Sequence, residues 1–480
     1  MTAVNPRTGT ADYAFATAAR ADIEAEAARL RAAQPAWAAR SAEERAAILG
    51  RWADAVEAAA YEIGEALAVD TGRGLLSHRE VTGAASNIRR WARMAPDLLK
   101  QPEMRDSQLV AGIRYGNQTV PYQLCGFISP WNFPVTLSLI DAVPALAAGA
   151  AALVKPSEVT PRFVAPLART LDAVPELKAV LGFVLGDGQA GAALIDQVDL
   201  VCFTGSVATG RKVAEHAARR FIPASLELGG KDAVIVTASA DIEQATDAVL
   251  RGSILNSGQV CLSIERIYVQ RPLYDAFVAR LVEKARAVKL NLDDIEDGHI
   301  GPLIFARQAE VIEAHLKDAV ARGARIETGG ELVRQGGVWC PPTVLTDVTN
   351  DMAVMQEETF GPILPVIAFD TVDEAVALAN DTSFGLSGSV IAGTVDEALA
   401  IGERIDAGGI SINDCGLTIV TYEPEKNSFG FSGMGGSRMG PASINRFLRR
   451  KALIVQTGAP SSIDDFAERP IANPAATPVA

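Results

Sequence analysis

One thiol, one carboxylate and one amide stand where they could do covalent chemistry. The thiol is Cys261 in NSGQVCLSIER, residues 256–266, flanked by Val260 and Leu262. As a thiolate it is a nucleophile. Free cysteine is also among the most buried residue types, and alone it reads as core packing. The carboxylate is Glu227 in LELGGKD, at the end of an apolar run and followed by Gly229 and Gly230. Apolar surroundings would raise its pKa and let it take and return protons near neutral pH; the alternative is a buried glutamate paired with a cation. The amide is Asn132 in SPWNFP, between Trp131 and Phe133, with Pro130 and Pro134 fixing the bend. Held so, it can donate to a developing oxyanion; the alternative is a turn asparagine.

Three further stretches could hold a nucleotide. LGDGQAG is a literal G-x-G-x-x-G at Gly186, Gly188 and Gly191. The dinucleotide fingerprint also wants an acidic residue about 20 positions on, and residues 208–210 offer none. A plain turn with a helix cap is at least as good a reading. In FTGSVATG an apolar run ends and Thr204, Gly205 and Ser206 open a helical pattern, whose free N–H groups would face a phosphate or simply be capped. In KPSE, Lys155 and Glu158 could bracket a ribose, or form a surface ion pair.

The elements that must position these residues follow from the bulk pattern. The chain has 480 residues, enough for two or three domains, with 49% hydrophobic and 21% charged residues, as in a globular protein with a large core. A net charge of −14 disfavours nucleic acid and anionic lipid as partners. The five cysteines are scattered with no C-x-x-C, and the four histidines are isolated. That argues against a disulfide framework or metal site and for a reducing, cytoplasmic location. The opening residues show no basic-then-apolar leader pattern. The longest apolar run, residues 142–154, is too short to cross a bilayer and reads as a buried helix entering a strand.

From about residue 11 to the DTGRG stretch the chain has helical periodicity, with a capping box at Ser41 and Glu44. From Tyr122 short apolar runs alternate with helical patterns, the β-α-β rhythm of a doubly wound, mostly parallel sheet. Ligands of such sheets sit beyond the carboxyl ends of the strands, so the polar residues ending these runs should converge. A second α/β unit runs from about Gly229 to Asp414, which implies a cleft between the two. RYGNQTVPYQ and RKALIVQTG are strand-like pieces outside both units, either of which could recruit another subunit. The final residues, 461–480, read as an extended C-terminal tail.

Together the motifs resemble the aldehyde dehydrogenase superfamily over nearly the whole chain. The matching stretches are PWNFP, VKPSE, FTGS with Gly210, LELGGK, GQVCLSIER, EETFGPILPV and NDTSFGLSGSV. Glu227 and Cys261, and Asn132 and Lys155, stand at the family's spacing. The resemblance implies an α/β fold of two doubly wound domains with a cleft between them and a small β oligomerisation element. The dinucleotide-binding domain would be residues 1–103 and 122–228, the catalytic domain 229–440, and the β element 104–121 with 441–460. It implies NAD as cofactor, with NADP possible, and a homodimer or homotetramer acting on a small aldehyde.

By position, the resemblance makes Cys261 the nucleophile. The tetrahedral oxyanion would be held by the Asn132 amide and the Cys261 N–H, hydride would pass to nicotinamide, and Glu227 would activate water to hydrolyse the thioester. Lys155 and Glu158 would bind the adenosine ribose, Ser206 the pyrophosphate, and Glu358 and Phe360 the nicotinamide ribose. Ser129, Trp131, Ser157, Gly188, Gly191, Thr204, Gly205 and Leu228 complete the expected cofactor site. A carboxylate at Glu158 repels a 2′-phosphate, which favours NAD. Two departures stand out: Asp232-Ala233 where the family commonly has Asn-Pro or Ser-Pro, and SFGFSGMGGSRMG, which is shortened at Phe431 in a region bordering the substrate entrance. Leu137, Ile140, Val260 and Leu262 are the expected substrate contacts. All are apolar, which favours hydrophobic or aromatic aldehydes. The alternative is a semialdehyde dehydrogenase, succinate-semialdehyde-like or CoA-acylating. The first would want an arginine anchor, and the second generally lacks the hydrolytic glutamate. A cysteine hydrolase would need a partnered histidine, and none lies in these motifs.

Overall fold

The structure, a computed structural model, describes residues 1–469. The expected tail falls largely outside them; only the 3-10 turn Ile463–Phe466 is described there. The chain forms two compact units, residues 1–98 with 121–448, and residues 99–120 with the segment from 449 on.

The larger unit opens on a hairpin, Thr2–Asn5 with Thr10–Ala14, followed by helices Arg20–Ala38, Ala42–Ala58, Ala60–Thr71 and Leu75–Leu98. The helical region therefore starts later, and runs further, than its periodicity suggests. Thr10–Ala14 is largely exposed and carries no apolar alternation. At the other end Gly72, left-handed at φ +66°, caps one helix and the next begins three residues on.

A six-stranded sheet follows. Its order is Gly433–Met434, Ala224–Glu227, Leu200–Thr204, Leu124–Ile128, Ala151–Lys155 and Leu181–Phe183. All its pairings are parallel except the first. The strand Leu124–Ile128 is first in sequence and central in space: its successor lies on one side and Leu200–Thr204 on the other. The crevice at such a reversal is where open α/β sheets bind ligands. The apolar run 142–154 forms the buried helix Ala142–Ala148 and the strand Ala151–Lys155.

The second sheet has seven strands, with Asp232–Val236 and Ile264–Gln270 at its centre and Ile363–Phe369 and Ser387–Ile391 flanking them. Both faces are covered. Ala233 and Ile235 enter one core cluster while Val234 and Val236 enter the other, which is why the strand reads as an unbroken apolar run. The expected boundary at residue 440 is corrected, because Gly433–Met434 joins the first sheet beside Glu227. The smaller unit holds a three-stranded sheet of Leu448–Gln456, Ile113–Pro121 and Arg105–Asp106. Residues 441–447, expected in that element, form a 3-10 helix that buries Ser443, Ile444 and Phe447 in the larger unit.

The capping box forms as its sequence implies: Ser41 Oγ accepts the Glu44 N–H at 3.1 Å and Glu44 Oε2 accepts the Ser41 N–H at 2.7 Å. Ser41→Ala should cost about 1 kcal/mol of stability, read as a lower urea midpoint, with kcat unchanged because this helix start carries no part of the cleft.

Candidate active site

The strand ends of the six-stranded sheet converge on a cleft of about 840 Å3. Ser129–Asn132, Lys155, Ser157, Glu158, Thr204–Ser206 and Leu228 line it, with Gly188 and Gly191 from the helix Gly188–Ile195. Cys261, Glu358 and Phe360 face them from the second sheet, and Leu137 also lines the cleft. Every residue expected at the cofactor is therefore on this surface. Sequence reasoning missed Phe305 and Gln308 on the far wall, and Thr209, Lys212 and His216. The last three lie on one face of the helix Val207–Arg220, a periodicity visible in the sequence. Trp131 meets Phe360 edge-on at 5.5 Å between ring centres and Phe305 at 6.0 Å, so the cleft has an aromatic wall.

The nucleotide side has donors suited to a dinucleotide. Ser206 caps its helix, its Oγ accepting the Thr209 N–H at 3.3 Å, which leaves first-turn N–H groups facing the cleft. Lys155 is 3% exposed and donates to Glu158 Oε2 at 3.3 Å, and burial lowers its pKa. A buried ammonium beside a carboxylate can grip ribose hydroxyls. The LGDGQAG turn is a capped helix start: Asp187 Oδ1 accepts the N–H of Gln189 at 2.8 Å. A Cβ would meet nothing at Gly188 and only ordinary contacts at Gly191, so neither glycine is forced by protein packing.

On the opposite wall, Asn256, Ser257 and Gly258 are left-handed in succession, at φ 53°, 57° and 73°. Strain of about 1–3 kcal/mol per non-glycine residue persists only where its surroundings over-determine it. Here they do. Asn256 Nδ2 donates to the carbonyls of Asn132 and Gln259, both at 3.1 Å, and Ser257 Oγ to that of Gly301 at 2.7 Å. The buried Gln259 side chain bonds Asn256, Pro302 and Ile304. A Cβ on Gly258 would lie 2.3 Å from the Gly361 carbonyl carbon. The turn delivers Cys261 half-buried to the cleft, whereas the other four cysteines are buried. Asn132 is 3% exposed and gives one amide N–H to the Gln259 carbonyl at 3.0 Å, leaving its second for another acceptor.

Burial pushes the Cys261 thiol up to about 12; Lys426 pulls it down, and Glu358, Asp232 and Glu227 push it further up. Glu227 was expected in apolar surroundings; the structure adds a polar partner to them. This glutamate is half-buried, its Oε2 accepts the Ser428 hydroxyl at 2.8 Å, and it does not line the cleft. The displaced carboxyl on the cleft is Glu358, raised to about 8 by burial and then by Glu265, against the Gly230 N–H that it accepts at 3.2 Å. Asp232, at the departure after GGK, is 2% exposed and held by Ser387. Burial raises it to about 7.

Of the expected substrate contacts, Ile140 and Val260 are buried, at 8% and 5% exposure, and Leu262 is half-buried; none of the three lines this cleft. The shortened segment, expected to border the substrate entrance, is held by strand pairing: Phe429–Gly430 pairs with Phe384–Gly385, Gly433–Met434 pairs with the Glu227 strand, and the Ser432 carbonyl accepts the Leu228 N–H. Among the described residues no group of His, Cys, Asp and Glu could hold a metal.

The aldehyde dehydrogenase family model matches residues 1–453. This chain belongs to the aldehyde dehydrogenase family. It is accordingly an NAD(P)-dependent oxidoreductase. PutA of Anabaena variabilis, whose solved structure is described as "Putative Aldehyde Dehydrogenase", superposes with a TM-score of 0.94 at 50% identity, covering 96% of this chain and 98% of that one. A Mycobacterium ulcerans protein named "Putative succinate-semialdehyde dehydrogenase (NADP+) 2" is 36% identical over 440 residues, 90% of this chain and 84% of its own. A Methylomonas protein named 4,4'-diapolycopene aldehyde oxidase is 44% identical over 298 residues, 61% of this chain and 55% of its own.

The Glu358 shift has a sign in stability. The folded state holds a proton up to about pH 8 that an unfolded glutamate releases at its ordinary value, so Glu358 lowers stability progressively as pH rises through that window. Glu358→Gln mimics the protonated form. It should raise the melting temperature at pH 8 and change it little at pH 4, as read by calorimetry at both.

Proposed function

We propose that this protein oxidises an aldehyde to its carboxylic acid through a thiohemiacetal and then a thioester on Cys261. The observation that carries the reading is that Cys261 and Asn132 share one cleft with strand ends suited to a dinucleotide. The Cys261 sulfur forms a bond to the aldehyde carbon as the carbonyl electron pair moves onto oxygen and the thiol proton leaves to a neighbouring carboxylate or water. The spare N–H of Asn132 and the Cys261 N–H stabilise the oxyanion. Nicotinamide, which Glu358 and Phe360 would hold by its ribose, would supply the hydride acceptor, and the adduct left on Cys261 would be a thioester. Glu227, just off the cleft lining but near enough to act on the charge of Cys261 and bonded to Ser428, takes a proton from the attacking water. The carbon–sulfur bond then breaks, and the sulfur leaves as thiolate to be reprotonated. Covalent catalysis thus divides one hard oxidation into two easier steps.

For the substrate we favour a hydrophobic or aromatic aldehyde. Leu137 and Phe305 on the cleft support this, as does the name of the Methylomonas relative. The carboxylate of Glu158 beside Lys155 favours NAD over NADP by repelling a 2′-phosphate. One observation favours a carboxylated semialdehyde as second reading. Arg90 is half-buried, and its bonds go to the neutral acceptors Asn87 Oδ1 and the Tyr422 carbonyl. On that reading Arg90 would be the arginine anchor, although it does not line the cleft, and the mycobacterial name supports it. A CoA-acylating reaction is disfavoured by Glu227. The exposed Leu453, Ile454 and Val455 of the smaller unit support a homodimer or homotetramer, and five free cysteines support a reducing, cytoplasmic setting. No helix among the described residues is long and apolar enough to cross a membrane.

The test follows reduced cofactor with benzaldehyde, hexanal and succinate semialdehyde, each with NAD and NADP. Turnover should be highest with the first two and NAD; no turnover with any pairing excludes the proposal. Cys261→Ala should abolish turnover and leave NAD binding intact. Glu227→Gln should retain a burst of one reduced cofactor per site and slow the steady state at least tenfold. If succinate semialdehyde is preferred, and Arg90→Met raises its KM without changing that of hexanal, the second reading stands.

A further inference from the structure

Asn132 is gripped from two sides, and only one of them is the strained turn beside the nucleophile. On the other, the helix Leu75–Leu98 brings Glu80, 5% exposed, beneath the start of the helix Pro134–Leu139. Pro134 has no N–H to give, so the first donors of that helix are Val135 and Thr136. One oxygen, Glu80 Oε1, accepts both, at 2.9 and 3.0 Å. The other oxygen is paired with the guanidinium of Arg73, itself 6% exposed. The Arg73 guanidinium lies 4.5 Å from the centre of the Phe133 ring. Phe133 directly follows Asn132, so the ion pair holds the residue after the amide by its ring and the next two peptide groups by their N–H donors.

A buried ion pair is weak evidence for stability, because desolvation offsets most of the attraction. Its worth here is geometric. The ring of Phe133 and the N–H groups of Val135 and Thr136 are held by Arg73 and Glu80, and the amide and carbonyl of Asn132 by Gln259 and Asn256. The amide is therefore held on both sides of its position in the chain.

We propose that Arg73 and Glu80 are positioning residues of the oxyanion site: their ion pair, through Phe133 and the first turn of the following helix, sets where the Asn132 amide stands relative to Cys261. This rests on the reading of Asn132 as the oxyanion donor. Misplacement by about an ångström costs on the order of a hundredfold in rate, and a partial loosening correspondingly less.

The experiment compares the wild type, Glu80→Gln, Asn132→Ala and the double variant, with hexanal and NAD. Three quantities are read: the rate of the first turnover, followed over hours for the slow variants; the Kd of NAD; and the rate at which iodoacetamide alkylates Cys261. Glu80→Gln keeps an acceptor for both N–H groups and removes the charge facing Arg73. It should slow the first turnover about tenfold while leaving NAD affinity and alkylation within twofold. In the Asn132→Ala background the same change should cost less than twofold, because the group it positions is gone. An unchanged first turnover in Glu80→Gln overturns the proposal. So does a full tenfold loss added on top of Asn132→Ala, or a parallel loss of NAD binding and alkylation. If Glu80→Gln does not fold, Arg73→Lys carries the same comparison, since it keeps the charge and loses the flat face over Phe133. If Asn132→Ala alone leaves the first turnover unchanged, the oxyanion reading itself has failed. That outcome is distinct from additivity between the two changes.

Discussion

The carboxylate of Glu265 is the point on which the far wall of the cleft hangs. It is 2% exposed, receives the ammonium of Lys231 at 2.5 Å, and accepts the N–H groups of Thr359 and Phe360 at 2.8 and 2.7 Å. Lys231 is 1% exposed and also reaches Thr359 Oγ1. Each partner lies four residues along the chain from a proposed catalytic group, Lys231 after Glu227 and Glu265 after Cys261. One ion pair therefore fixes, in a single frame, the carboxylate strand, the nucleophile and the loop carrying Glu358 and Phe360. Removing one member would strand a buried charge, at a cost of about 3–5 kcal/mol. Replacing both with apolar residues could cost little stability, but would release the Phe360 backbone, which sits at φ 52°. What the pair supplies is location.

The same economy recurs on the other sheet. Asp141, 3% exposed, receives both Arg438 and Arg446. Burial pushes its carboxyl up, and the two guanidinium groups outweigh burial and hold it below its ordinary range. Arg438 also bonds the Thr204 hydroxyl, so a residue near the C-terminus steadies the strand end that opens toward Ser206. Buried charges in this molecule are placed where a backbone segment must be exact in position and cannot be held by apolar packing, which is non-directional.

This explains what the sequence could and could not disclose. The converging strand ends were legible because apolar runs stop at Gly, Ser, Pro or charge, and the reversal of strand order then brings Ser129, Lys155 and Thr204 together. The Ser41–Glu44 box was legible because capping is local. The left-handed run at Asn256–Gly258 was not, since NSG reads as an ordinary turn until Gln259, Pro302 and Gly361 surround it. The polar partner of Glu227 was missed for the same reason: Ser428 is 201 residues away. Arg73 and Arg90 lie in a region that reads only as amphipathic helix, and nothing local distinguishes an arginine that holds a loop from one that faces solvent. The opening hairpin was missed because an exposed two-stranded ribbon carries no apolar alternation.

The electrostatics around Cys261 constrain how the proposed chemistry must run. Burial holds the Cys261 thiol well above its ordinary range, so the neutral thiol is the resting form at pH 7. Burial is the main opponent of ionisation; Glu358, Asp232 and Glu227 add to it as each becomes charged, and the cation against them is Lys426, half-buried, with its amine 3.4 Å from the Leu386 carbonyl. A nucleophile so placed is favoured as the neutral thiol at rest. In the proposed reaction its proton leaves as the carbon–sulfur bond forms, with the carbonyl oxygen stabilised in the same event. The site therefore needs the Asn132 amide already in place, which is where the two networks that grip Asn132 become part of the chemistry. A neutral thiol is also a poor target for oxidants and alkylating agents. The arrangement that makes the resting cysteine slow thus protects it until a carbonyl is bound.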